Sequence, residues 1–214
     1  MGKQIVIVGA GGMGREAAAW VADLGREADL AGVLDADPSL HGTAVAGLPV
    51  LGDLGWLDDH LDVEVVVALG SPASRALVVD HLDAVGRTLL SVVHPSAIIG
   101  ARVTIYEGAI VCPGAVLTCD IQIGRAAIVN YGALVGHDGQ VGAYSFLAPG
   151  ARLAGNVTLE EQADVGIGAS VIQGCRIGAR AVVGAGAVVI RDVAPDTTVV
   201  GVPARPVGER AHDR

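Results

Sequence analysis

The chain has 214 residues, 51% of them hydrophobic and only 3% aromatic, and its 23 acidic side chains outnumber 14 basic ones to leave a net charge of −9. That balance weighs against a nucleic-acid partner, which needs clustered Lys and Arg. No apolar run approaches the roughly twenty residues of a membrane span, and no leader-type segment precedes the first apolar stretch, so a cytoplasmic protein is expected. Cys112, Cys119 and Cys175 are odd in number and form no CxxC pair, so they read as reduced structural thiols, with no metal site.

Residues 4–9 (Gln-Ile-Val-Ile-Val-Gly) predict a buried strand that runs into Ala10-Gly11-Gly12-Met13-Gly14 and then an Ala-rich helix through Trp20 and Asp23. A glycine turn between a parallel strand and a helix lets backbone N–H groups approach a diphosphate at the positive helix end. A second strand at 30–34 ends in Asp35-Ala36-Asp37, and a third at 63–69 ends in Gly70-Ser71-Pro72. Open α/β sheets hold ligands at these carboxyl ends. An NAD-binding Rossmann domain is the competing reading, but the roughly ninety residues available hold only about half of the doubly wound fold. Arg75, four residues beyond Ser71, is either a phosphate partner or a solvated helix arginine. The pattern changes at His94 and Pro95, which divides the chain into an α/β domain at 1–93 and a second domain at 94–214.

From residue 99 to residue 189 every sixth residue is Ile, Val or Leu, sixteen times without exception. Chance would give this with a probability on the order of 10⁻⁸. Four places after each aliphatic the residue is nearly always small, so small and aliphatic side chains lie two apart across each repeat boundary. Both then point inward from one short strand. In eleven of the sixteen hexads the fourth place holds Gly, Asn or Asp, residues that tolerate positive φ. One strand and one corner per hexad gives a prism of three flat sheets that rises one coil every eighteen residues.

These hexads resemble those of the hexapeptide-repeat acyltransferases, which implies a left-handed parallel β-helix. The order of parts is a short βαβ domain with Gly9-Ala10-Gly11-Gly12, then His94-Pro95-Ser96-Ala97, then hexads ending in Gly201-Val202-Pro203-Ala204. It is similar to the sialic-acid-type and bacillosamine- or perosamine-type sugar acetyltransferases. The resemblance implies an acetyl-CoA-dependent enzyme of glycan or related biosynthesis, a nucleotide-linked amino sugar as its partner, and a homotrimer with active sites between prisms. Nucleotide contacts carried over fall on Gly11, Gly12, Met13, Asp35, Ala36 and Gly70, and acetyl-CoA contacts on Phe146, Gly155, Ile167 and Ala185. The family usually has His where this chain has Met13 and Asn where it has Ser71, and some relatives have His at Phe146.

His137 is the only histidine among the sixteen repeats and interrupts their rhythm at a corner. Acetyl transfer to an amine needs a base of near-neutral pKa, which histidine supplies. The resemblance makes His137 the general base and Asp138 the carboxylate that fixes its tautomer. Spacing alone also allows a solvated corner histidine beside an ordinary turn aspartate. Asn130 either contacts the sugar or supports the histidine, or is an outward polar residue, and Phe146 either packs on the cofactor or fills a subunit interface. The expected reaction is direct attack of a sugar amine on the thioester. The alternatives are O-acetylation of a sugar hydroxyl and a non-catalytic nucleotide-sensing β-helix.

Overall fold

The structure is a computed structural model that describes residues 3–207. Residues 1–2 of the first expected domain and 208–214 of the second lie outside the described residues. The α/β domain contains β1 (Gln4–Val8), α1 (Gly12–Asp23), β2 (Leu30–Leu34), β3 (Ala44–Val45), β4 (Leu48–Gly52), β5 (Val63–Val67) and α2 (Pro72–Ala84). Its sheet has the order β3-β4-β2-β1-β5, parallel throughout except for the β3–β4 hairpin. β1 is central, and Ile5, Val6 and Ile7 are fully buried, as a continuous apolar run in a parallel sheet covered on both faces requires. A Cβ on Gly14 would fall 1.7 Å from the Gly9 carbonyl oxygen, so α1 packs directly against the loop that feeds it.

The sequence reading missed β4. Its apolar run is only four residues long and contains Pro49, and the turn before it is Ala46-Gly47, with φ of 52° and 79°. Two successive positive φ values make a tight hairpin, and the returning strand places Asp53 at the same sheet end as Asp35.

From Ile98–Ile99 to Val188–Val189 a two-residue strand recurs every six residues, and its second residue is the predicted aliphatic. Each strand up to Ser170–Val171 pairs in parallel with the one eighteen residues on, as Val116 does with Leu134. The result is a left-handed parallel β-helix with a six-stranded, a five-stranded and an eight-stranded face. Its core is the stack of aliphatic and small residues from both registers, including Leu117, Ala133, Leu147 and Ala163 at zero exposure. The prism starts at Val92–Val93, which pairs with Ile110–Val111 on the eight-stranded face.

Positive φ extends beyond the residues that favour it. Arg102, Ala126, Tyr144, Gln162 and Arg180 occupy fourth places and have φ between 49° and 60°. The coil dictates this for Ala126, Tyr144, Gln162 and Arg180, whose N–H groups each reach the coil before, as Tyr144 N–H does to the Arg125 carbonyl at 2.9 Å. Such a conformation costs an L-residue roughly 1–2 kcal/mol. Asp192 departs from the expected turn. The last coil is two residues short, since Val182 pairs with Thr198, so Asp192 has no positive φ and the next one is at Asp196, which stacks on the Arg180 corner.

The α/β domain rests on the eight-stranded face. Ile110, Cys112 and Ile128 pack with Ile7, Ala17, Trp20 and Val21. The Trp20 indole N–H donates to the Tyr131 hydroxyl at 3.0 Å, and the two rings meet edge to face. His94 contacts the Asp23 carboxylate at 2.9 Å, and Arg125 forms an ion pair with Asp83 of α2. Among the described residues no helix is long and apolar enough to cross a membrane.

Candidate functional site

The corner between the six-stranded and five-stranded faces stacks Cys119, His137 and Gly155 in successive coils. Two ladder bonds hold this column: Asp138 N–H donates to the Cys119 carbonyl at 3.1 Å, and Asn156 N–H to the His137 carbonyl at 2.7 Å. His137 Nδ1 lies 2.8 Å from Asp138 Oδ2, and its side chain is 58% exposed. A carboxylate is acceptor-only, so in the neutral ring this contact assigns the proton to Nδ1 and leaves the lone pair on Nε2. Nε2 lies over Gly155, where a Cβ would fall only 2.3 Å away. Gly155, expected as a cofactor contact, is thus also the residue whose missing side chain makes room for the imidazole.

The adjoining groups do not compete for the proton chemistry. Burial and the neighbouring Asp120 push the Cys119 thiol up, so it stays protonated at neutral pH. Arg102 forms a two-pronged contact with Asp120 and holds that carboxyl below its ordinary range.

Other predicted residues lie elsewhere on the prism. Ile167 and Ala185 are successive rungs of the corner between the eight-stranded and six-stranded faces, joined through the Gly186 N–H to Ile167 carbonyl bond of 2.8 Å. Ile167 is 62% exposed. Asn130 begins a lower rung of the same corner. It is only 5% exposed, and its Oδ1 accepts the Tyr131 N–H at 2.7 Å, so the outward, solvated reading of it does not hold. Phe146 is half-buried on the eight-stranded face, against the apolar cluster shared with the α/β domain. That face is opposite the His137 corner, so one chain does not bring Phe146 and His137 together.

In the α/β domain a cavity of about 590 Å³ opens at the carboxyl ends of the strands. Asp35 and Ala36 line it, as expected of a ligand site there. Asp35 also shapes the loops: Oδ2 accepts the Ala10 N–H at 2.7 Å and Oδ1 the Asp37 N–H at 3.0 Å. Gly11 and Gly12 are exposed at the start of α1, Met13 is half-buried against the core, and Gly70 is exposed, all outside the cavity lining. The residues that sequence reasoning missed are Asp53, Asp58, Ser74 and His81. The signal for Asp53 was the short run 48–52. Ser74, Val78 and His81 recur at helical spacing along the cavity side of α2.

Arg75 is neither a phosphate partner nor a solvated arginine. It is fully buried, and its guanidinium donates to backbone carbonyls of both domains. Among the described residues no group of three or more His, Cys, Asp or Glu could hold a metal ion.

Residues 4–82 match the family described as PglD N-terminal domain. A variant of perosamine N-acetyltransferase from Caulobacter crescentus, solved in complex with CoA and GDP-perosamine, is 36% identical with a TM-score of 0.90, over 96% of this chain and 97% of that one. The acetyltransferase domain of PglB from Neisseria gonorrhoeae, solved with acetyl coenzyme A, is 30% identical with a TM-score of 0.88, over 97% of this chain and 100% of that one. WeeI from Acinetobacter baumannii is 33% identical with a TM-score of 0.88, over 95% and 99%. No curated protein matches the chain. The chain belongs to the hexapeptide-repeat sugar acetyltransferases of the bacillosamine and perosamine type.

Proposed function

We propose, from membership of this family, that the protein moves an acetyl group from acetyl-CoA to the amine of a nucleotide-linked amino sugar, with His137 as general base. The observation that carries the reading is the His137–Asp138 contact of 2.8 Å, which orients Nε2 as a free acceptor at an exposed corner. Chain-long likeness to an N-acetyltransferase solved with CoA and a nucleotide-linked amino sugar supports the choice of both substrates.

The neutral amine attacks the thioester carbonyl, and a C–N bond forms as the carbonyl oxygen takes up charge. His137 Nε2 accepts the proton that the nitrogen must lose, while Asp138 stabilises the imidazolium through Nδ1. Collapse breaks the C–S bond, and the proton passes to the departing CoA thiolate. No side chain carries the acetyl group. Cys119, the nearest thiol along the column, is held protonated and so is a poor nucleophile.

The nucleotide occupies the cavity at the strand ends, near Asp35, Ala36 and the loops of Gly11, Gly12, Met13 and Gly70. Asn130 supports the sugar end, and Gly155, Phe146, Ile167 and Ala185 belong to the acetyl-CoA groove. In one chain these groups occupy different corners and faces, so a complete site draws on neighbouring prisms of a homotrimer. The six-stranded face bears Ile98, 63% exposed, with Val116 and Leu134 half-buried in the same outward row, an apolar strip suited to such packing.

Release of CoA thiol is measured with UDP-, GDP- and dTDP-linked amino sugars beside their hydroxyl counterparts. Release with an amino sugar alone is expected. Release only with hydroxyl acceptors would replace this reading by O-acetylation, and tight nucleotide binding with no release from any acceptor would replace it by a non-catalytic role.

A further inference from the structure

Arg75 is a charged group at zero exposure that the reaction does not use. Its Nε donates to the Ala126 carbonyl at 2.7 Å. One terminal nitrogen donates to the Leu69 and Gly70 carbonyls at 2.5 and 3.1 Å, and the other to Tyr144 and Ser145 at 2.5 and 3.1 Å. Leu69 and Gly70 form the loop after β5 beside the strand-end cavity, whereas Ala126, Tyr144 and Ser145 belong to two successive coils of the prism. Ala126 and Tyr144 are two of the residues forced to positive φ, at 49° and 58°. Burial draws the Arg75 pKa down to about 10, which leaves it charged at neutral pH, and the Asp164 carboxyl partly offsets that shift.

The helix that carries Arg75 has two working sides. Arg75, Val79 and Leu82 are buried, while Ser74, Val78 and His81 line the cavity. One guanidinium therefore fixes the Leu69–Gly70 loop, the first turn of α2 and the prism corner in a single arrangement.

We propose that Arg75 is a positioning residue: by pinning the loop after β5 and the start of α2 to the prism, it holds the nucleotide cavity in register with the acetyl-transfer site. This rests on the reading of the cavity as the nucleotide site. Lysine offers a single donor centre in place of the fork and cannot reach five carbonyls in two directions.

The test compares full-length wild type with Arg75→Met and Arg75→Lys, by hydrogen exchange of the ligand-free proteins and by calorimetric titration with GDP, UDP and CoA. In Arg75→Met the amides of residues 68–74 exchange about tenfold faster and nucleoside diphosphate affinity falls by about tenfold or more, the scale of a lost charge-assisted bond. CoA affinity and exchange in the prism strands stay at wild-type values, and Arg75→Lys falls between. Should the Met variant fail to fold, the Lys variant carries the same comparison. Parallel loss of CoA affinity and prism protection, or unchanged exchange at 68–74, would overturn the proposal. Wild-type protein that binds neither nucleoside diphosphate would remove the nucleotide reading, and the exchange data would still decide whether Arg75 pins the loop.

Discussion

The prism and the α/β domain solve the same problem by opposite means. In the prism each coil buries a short aliphatic and small-residue pair against like neighbours, so one packing rule is stated sixteen times, and its close approaches recur as well, as where Gly100 meets the Thr118 carbonyl and Gly136 the backbone of Ala154. The α/β domain has one central strand, one close loop–helix contact at Gly9 and Gly14, and one buried arginine at its junction with the prism. The prism repeats its contacts from coil to coil, whereas the α/β domain states each of its contacts once. The proposed chemistry is on the repetitive scaffold, at the corner where His137 breaks the pattern.

That contrast can be broken most sharply at Gly155, where the repeated packing of the prism meets the one histidine that interrupts it. A Cβ there would fall 2.3 Å from His137 Nε2, so the imidazole would have to move. Gly155→Ala should lower turnover by about 10²-fold, the cost of moving a catalytic group by roughly 1 Å, with thermal unfolding close to wild type. Full activity in steady-state thiol release would show that the imidazole does not work from this position.

Gly14→Ala probes the opposite region. The added methyl would fall 1.7 Å from the Gly9 carbonyl oxygen, so α1 must shift away from β1. A loss of about 1–3 kcal/mol, typical of overpacking, is expected by denaturant unfolding. Nucleotide affinity falls with it, and the prism transition is preserved. A variant as stable as wild type would contradict the close packing of this loop.

Gln162→Gly tests the redundancy of the corners. Gln162 holds φ at 60° in a fourth place where glycine fits without strain. Its replacement should raise stability by about 1 kcal/mol, since relief of the left-handed strain outweighs the extra unfolded-state freedom of glycine. Destabilisation would mean that Gln162 contributes contacts beyond the turn.

The smallest effect concerns the ion pair between Asp83 and Arg125 across the junction. The Arg125 guanidinium holds the Asp83 carboxyl below its usual value. Its contribution is therefore present above the unfolded pKa, near 3.9, and lost as pH falls through the lower folded value. Both side chains are partly exposed, at 27% and 44%, so less than about 1 kcal/mol is at stake. The melting difference between wild type and Asp83→Asn should be small at pH 7 and close below about pH 4. A difference that persists in acid would point to packing instead of charge.

The hexads were legible because their period is a property of single residues: an aliphatic inward, a small residue two places before it, a turn between. His137 stood out for the same reason. What Arg75 does was not legible, because all its partners are backbone carbonyl groups, which carry no side-chain signature, and three of the five are 51 to 70 residues away. β4 was hidden by its brevity and by Pro49, and with it Asp53 in the cavity wall. The short last coil escaped because the aliphatic phase continues through Val189 while the pairing distance changes only afterwards, from Val193 onward.

The role of His137 is tested most directly by single-turnover acetyl transfer to the best amino-sugar acceptor, comparing wild type with His137→Ala at saturating concentrations of both substrates. If His137 is the base, the rate falls by about 10² to 10⁴, or about 3–5 kcal/mol of barrier, while nucleotide and CoA affinities are retained. A His137→Ala protein that transfers acetyl at the wild-type rate would contradict it.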